Sequence, residues 1–259
     1  MGDYLRERGN RSSLFIATKG AHPRLESMHT PRMSRAEVEN DLNLSLKALG
    51  VDTIDLYYLH RDDRNRSVEE ILSMMEDFVK AGKVRQYACS NWRTDRMLEA
   101  HDCAVKHGYN GFAANQIFWN IGAHNSAGLP DTSCEMYTAD MGSAFQHTGM
   151  VASAYSSQAN GFFTKLAQGD PSYAKGARCI YDTAGNHRVF AKAKEAAEKT
   201  GRTVTEIVLS YIISQPNAIA VVGCKNMEQL TETMKAADRD IPTDILSDLE
   251  NTIYNRGDN

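Results

Sequence analysis

Residues 54–63 read IDLYYLHRDD. Ile54, Leu56, Tyr57, Tyr58 and Leu59 form a short apolar, aromatic-rich run of strand length, the pattern of a strand buried on both faces of a parallel sheet. The run stops abruptly at His60-Arg61-Asp62-Asp63, and a helix start follows at Ser67-x-x-Glu70. In a barrel of alternating strands and helices, the C-terminal strand ends carry the chemistry. His60 is therefore a candidate acid, base or hydrogen-bond donor. Standing alone it would read as a histidine satisfied at the rim of a core, so the other strand ends decide the matter.

Outward from this stretch the same rhythm recurs. Toward the N-terminus, 3–9 predicts the last turns of a helix closed by Gly9, and LFIATKG (14–20) a strand ending in Lys19. A polar loop over 21–33 leads to a second capping box, Ser34-x-x-Glu37, and a helix whose apolar face is Val38, Leu42, Leu46 and Leu49, ended by Gly50. Toward the C-terminus the pattern predicts strands at 84–90, 112–116, 151–155 and 219–222. Helices are predicted at 95–107, 133–147, 186–200, 203–214, 226–237 and 243–254, with a long loop over 117–132. The polar excursion 156–184 exceeds a plain connection and reads as a functional loop. Strand and helix alternate six times, which predicts an α/β fold with parallel strands in one domain spanning 1–259.

Composition narrows the function classes. With 29 basic and 33 acidic residues the net charge is −4 and no basic stripe is present, which argues against nucleic acid. No apolar run approaches the ~20 residues of a membrane span, and the polar N-terminus does not read as a signal peptide. Five cysteines, odd in number and without CxxC spacing, predict free thiols in a reducing, cytoplasmic setting. No Cys or His pair has metal-ligand spacing, so no metal is expected. Walker, GxGxxG and nucleophile-elbow motifs are absent too.

The residues that close the predicted strands are Lys19, His60, Ser90 with Asn91, Gln116, Tyr155 with Ser156, and Lys225. In a closed barrel they converge on one mouth. Each has a structural alternative: Lys19 as a solvated loop lysine, Ser90-Asn91 as a helix cap, Tyr155 as core, Lys225 as a surface charge. Their joint occurrence favours a shared site. The motifs ATKG, IDLYYLHRDD, CSNW, ANQIFWN, AYSSQANG and VVGCKNMEQL, in this order and spacing, resemble those of the aldo-keto reductases from about residue 3 to the C-terminus.

That resemblance implies an eight-stranded (β/α)8 TIM-type barrel, NADPH bound in an extended pose, and reduction of an aldehyde or ketone by hydride transfer. It implies that Lys19 lowers the pKa of a catalytic tyrosine and that His60 hydrogen-bonds the substrate carbonyl. Ser90, Asn91 and Gln116 would hold the nicotinamide carboxamide, and Tyr155 would stack on the ring. Ser156, Gln158 and Asn160 would meet the pyrophosphate. Gly223 and Lys225 belong to the closing motif, Lys225 meeting the ribose 2′-phosphate and thus favouring NADPH. Gln229 and Thr233 stand where many members carry Arg and Asn near the adenine. Trp92, Trp119 and the loops 21–33, 61–66 and 117–132 are expected to wall a pocket for an apolar or sugar-like carbonyl compound.

The resemblance also sets an expectation about the front of the chain. The family barrel has two strands before the ATK strand, with the catalytic Asp and Tyr on and just after the second. Only 18 residues precede Lys19 here, and Asp3 and Tyr4 lie in what reads as a helix. The expected form is an incomplete barrel of about six strands, shortened at its N-terminus. Its open edges would self-associate or lower solubility, and its carbonyl reduction would be very weak for want of the general acid. The alternative is an inactive nucleotide-binding or interaction protein that keeps the cofactor mouth. A lyase forming a Schiff base on Lys19 is a further reading, but it leaves Ser90, Asn91, Gln116 and Lys225 without a role.

Overall fold

A computed structural model describes residues 1–123, 131, 133–238 and 240–257. Strands β1 (Ala17–Gly20), β2 (Ile54–Leu59), β3 (Val84–Ser90), β4 (Ala114–Phe118), β5 (Val151–Tyr155) and β6 (Ala218–Ala220) make one six-stranded sheet in sequence order. The pairings β1–β2, β2–β3 and β3–β4 are parallel. Between strands run helices α1 (Gly2–Arg8), α2 (Arg35–Leu49), α3 (Val68–Lys80), α4 (Thr94–His107), α5 (Ala139–Thr148), α6 (Phe162–Ala167), α7 (Ala184–Thr200) and α8 (Val204–Ile213). Helices α9 (Met227–Lys235) and α10 (Thr243–Tyr254) follow the last strand. The fold is thus α/β with parallel strands, six of a barrel's eight.

The chain divides into two compact units: Met1–Ile117 with Ser133–Ala152, and Phe118–Thr132 with Ser153–Asn259. In the first, the sheet core holds Tyr58, Ala88 and Ala114, with Leu56 and Val151 packed on it. Local signals set the helix ends. Ser34 and Glu37 form the full reciprocal capping box, and Gly50 closes α2 in the left-handed conformation, donating to the Leu46 carbonyl. The second box is only half made. Ser67 accepts from the Glu70 N–H at 3.1 Å, but the Glu70 carboxylate pairs with Arg66.

One buried carboxylate ties the N-terminal segment to β2. Asp55, whose side chain is 3% exposed, accepts from the Ile16 N–H at 2.7 Å and pairs with Arg11 at 2.7 Å and Arg85 at 3.3 Å. Burial opposes its ionisation, yet the Ile16 hydrogen bond and the two guanidiniums outweigh it and hold its pKa below the usual carboxylate value. Because the folded pKa is depressed, the stabilisation is present above the unfolded pKa and lost as pH falls through the folded one. Asp55→Ala is expected to lower stability by about 1–3 kcal/mol at neutral pH and to flatten the acid limb of a pH–stability curve below about pH 4. Urea unfolding at several pH values measures both, and an unchanged acid limb would count against the assignment.

In the second unit, α7, α8 and α10 pack together, and Phe162, Phe163 and Tyr181 are fully buried. The excursion 156–184 is therefore partly core, anchored by α6 and a 3-10 turn over Gly176–Tyr181. Ile219, Val221, Val222, Met227, Leu230 and Met234 are exposed along β6 and α9.

Candidate active site

The first unit carries two groups of the expected site residues. Lys19 lies opposite Tyr58 in the β1–β2 register, its ammonium 5.3 Å from the Tyr58 ring centroid. Partial burial lowers its pKa, and no carboxylate among the described residues pairs with it. Tyr58 is core, as its strand position predicts. His60 follows β2 directly; its N–H donates to the Gly20 carbonyl at 2.9 Å, and its ring meets that of His22 at 4.4 Å. Tyr4 sits on α1, half-exposed, with the Arg8 guanidinium over its ring.

Ser90, Asn91 and Gln116 are brought together by the β3–β4 register, in which Ser90 opposes Gln116. The Ser90 hydroxyl and the Asn91 N–H both donate to the Gln116 carbonyl at 2.9 Å, and Asn91 Nδ2 donates to Ser90 Oγ at 2.9 Å. Asn91 adopts φ +58°, a conformation Asn tolerates better than most residues. Helix α4 begins only at Thr94, after an N-cap Arg93 without a side-chain cap bond, so Ser90 and Asn91 are not its caps.

Two residues here were not singled out from sequence. Glu135 donates its N–H to Asn91 Oδ1 at 3.0 Å, and burial raises its carboxyl pKa. It lies in the first turn of the helix predicted at 133–147, which forms only from Ala139 on, so the sequence reading placed it on a helix and not beside Asn91. Asn115 is fully buried and clamps the Trp92 backbone, donating to its carbonyl at 2.8 Å.

Trp92, expected to wall a substrate pocket, is 0% exposed. It is packed between Phe112 at 4.8 Å and the Arg96 guanidinium at 5.1 Å. With no surface to offer, it stands as core.

The second unit carries the rest. The Tyr155 ring meets Phe118 edge-on at 5.3 Å, and its carbonyl accepts the Trp119 N–H at 3.2 Å. Trp119 is largely buried near Tyr211. Ser156, Ala159, Asn160 and Gly161 all have positive φ, a tight loop in which backbone N–H groups can make an anion-binding concavity. Asn120, unremarked within ANQIFWN, braces it by donating to the Ser156 carbonyl at 3.1 Å. Gln158 Nε2 donates to Thr233 Oγ1 at 3.3 Å and Asn160 Nδ2 to the Ala177 carbonyl at 3.3 Å.

Lys225 is exposed before α9. Gln229 has a capping task there: its Oε1 accepts the Lys225 N–H at 2.9 Å while its own N–H caps onto Asn226 at 2.9 Å. Gly223 is open, with no atom within 4 Å of where a Cβ would stand. Of the loops expected to line a pocket, residues 124–130 and 132 lie outside the described residues. Among the described residues, no cluster of three His, Cys, Asp or Glu side chains could hold a metal ion, and no helix is long and apolar enough to cross a membrane.

A parallel sheet whose strands alternate with helices defines an α/β fold of the barrel type. The chain belongs to the aldo/keto reductase family, whose model matches residues 1–253. It is 24% identical to a norsolorinic acid reductase of Emericella nidulans over 98% of its own length and 64% of that relative's. It is 26% identical to an NADP(+) aldo-keto reductase of Schizosaccharomyces pombe, covering 91% of this chain and 68% of the relative. An L-glyceraldehyde 3-phosphate reductase of Escherichia coli O157:H7 is 25% identical over 87% of this chain and 65% of the relative. The chain thus spans about two thirds of these relatives. Among solved structures, a thermostable aldo-keto reductase in complex with the inhibitor epalrestat superposes with a TM-score of 0.69 at 21% identity, over 97% of this chain and 75% of that one. The family typically uses a nicotinamide cofactor.

Proposed function

We propose that this chain serves NADPH-dependent reduction of a small aldehyde or ketone, a sugar-like carbonyl compound among the candidates, with 1–259 acting as one reductase domain. What supports the reading most is the Ser90–Asn91–Gln116 cluster, in which the buried hydroxyl and amide side chains at the end of β3 meet the backbone carbonyl of Gln116 in the middle of β4. Such donors and acceptors suit a carboxamide, which offers one carbonyl and one NH2. NADPH, when bound, would supply the hydride, and the alkoxide it leaves would take its proton from water, so turnover is expected to be slow for want of a general acid. His60 would donate a hydrogen bond to the carbonyl oxygen as negative charge develops there. Lys19 would add a positive charge whose field is strengthened by its partial burial.

In the second unit, the left-handed loop at 156–161 would take the pyrophosphate on backbone N–H groups, with Ser156, Gln158 and Asn160 contributing. Tyr155 would stack on the nicotinamide. The exposed Lys225 would pair with the 2′-phosphate, with Gly223 and Gln229 shaping the backbone around it. Trp119 would bound the carbonyl compound.

Cofactor titration tests this directly. Saturable quenching of tryptophan fluorescence by NADPH is expected, with NADH weaker. Lys225→Ala is expected to weaken NADPH about tenfold, the equivalent of one charge-assisted hydrogen bond, while leaving NADH unchanged. Equal loss for both nucleotides would remove Lys225 from the 2′-phosphate, and no saturable binding of either would overturn the reading.

A further inference from the structure

We propose that the cleft where the start of α2 meets the first two turns of α3 binds a small carboxylate with an aromatic body. The cleft has a volume of about 220 Å³, lies wholly within the first unit, and shares no lining residue with the candidate active site. A dry apolar cavity of about 150 Å³ takes up benzene, so a ring carrying a short acidic arm fits the space here.

The floor is apolar. Ile71 and Met74, three apart on one face of α3, line it together with Met33 from the loop before α2, and all three are buried. Two methionines favour a flat aromatic occupant, because a thioether is polarizable, adapts its shape and makes attractive contacts with aromatic rings.

The wall is rich in hydrogen-bond donors. Arg35, the first residue of α2, is held in place by Asp77, whose Oδ2 accepts from Nη1 and Nη2 at 2.8 Å, and by the Phe78 ring 5.6 Å away. Arg66 stands just before Ser67, the N-cap of α3. Its Nη1 pairs with Glu70, while its Nη2 makes no hydrogen bond to a described residue. Its Nε is buried without a hydrogen-bond partner, the Asp63 carboxylate standing 3.4 Å away and out of line. Nε and Nη2 form the edge of a guanidinium that grips a carboxylate through two parallel bonds, and on Arg66 that edge has no acceptor. A buried N–H left bare is costly until something accepts from it.

Three carboxylates pair with these two guanidiniums, but only Glu70 lines the cleft. Its side chain is 56% exposed, and an exposed pair four residues apart contributes little. An incoming carboxylate therefore displaces Glu70 into solvent at small cost and takes the free edge of Arg66. The N-terminal turns of α2 and α3, both bordering the cleft, add to the preference for negative charge.

NMR of protein labelled at its methionine methyl groups, titrated with phenylacetate, tests the proposal without requiring turnover. Saturable shifts of the Met33 and Met74 methyls are expected, with a Kd on the order of 1 mM. Phenylacetamide, which keeps the shape and lacks the charge, is expected to bind about tenfold more weakly, and Arg66→Gln is expected to weaken phenylacetate by about as much. Glu70→Gln is expected to tighten phenylacetate at least about twofold, since it weakens the rival for Arg66. Equal affinity for the two probes would overturn the proposal, as would Arg66→Gln binding like the parent, Glu70→Gln failing to tighten, or shifts that never saturate. Should Arg66→Gln fail to fold, the two probes on the unsubstituted protein and the Glu70→Gln titration carry the measurement.

Discussion

Arg96→Ala is expected to destabilise the protein by about 3–5 kcal/mol, the range for removing one partner of a buried ion pair. The Arg96 side chain is 7% exposed and Asp62, its partner, 11%. The guanidinium meets both Asp62 oxygens, at 2.9 and 3.0 Å, and donates further to Glu99 at 2.9 Å and to the Arg66 carbonyl at 3.2 Å. It also covers the Trp92 ring. Truncation leaves Asp62 buried beside a void, with its charge uncompensated. The Glu99 end counts for little, because that carboxylate is half-exposed and solvated. Urea unfolding measures the loss. In an Asp62→Asn background the same substitution is expected to be less damaging, since no bare charge is then left behind. Equal losses in the two backgrounds would mean that Arg96 acts through packing on Trp92 instead of through the ion pair.

Gly20→Ala is the second large effect, about 3 kcal/mol, toward the upper end for overpacking a core. A Cβ at Gly20 would stand 1.8 Å from Tyr57 Oη, 2.8 Å from Tyr57 Cζ and 2.9 Å from Asp41 Cβ. Tyr57 is fully buried in the middle of β2, registered against Thr18 on one side and Tyr87 on the other, so its ring cannot swing clear. Moving Asp41 instead would break the bonds that hold Ala21 and Arg32. The double variant Gly20→Ala/Tyr57→Phe removes the shortest contact and keeps the other two. It is expected to recover part of the loss, because the phenol's own bond to the Val38 carbonyl is long at 3.5 Å. A Gly20→Ala protein that melts at the parent midpoint would show that the turn after β1 yields easily, contrary to the clash with Tyr57.

Elements whose stabilisation is local were legible. Strands 84–90 and 151–155 and helix 243–254 match the observed bounds, and Gly9 and Gly50 close helices in the left-handed conformation as expected. Where the expectation slipped, polar residues were satisfied from a distance. The fourth strand runs over Ala114–Phe118 instead of 112–116, with all five residues buried. Gln116 looked like its polar end, but it is the third of the five buried strand residues, and the neighbouring Asn115 amide is spent on the Trp92 backbone. The helix at 162–167 was missed because it is only six residues long and Phe162, beyond its neighbour Phe163, packs on Tyr173, Tyr181 and His187, all more than a helical turn away.

The sequence by itself determined the alternation of strand and helix, the parallel α/β class, and which residue types stand at each strand end. These follow from spacing, caps and apolar runs, all of which act between near neighbours in the chain. Only the tertiary structure decided what those residues touch. It set Asn91 against Glu135, His60 against His22, and Trp92 inside the core under Arg96. The first two contacts join residues 44 and 38 apart in the chain, and Trp92 is closed into the core only because Arg96, four residues on, is held by Asp62 from 34 residues away, pairings that no local pattern encodes.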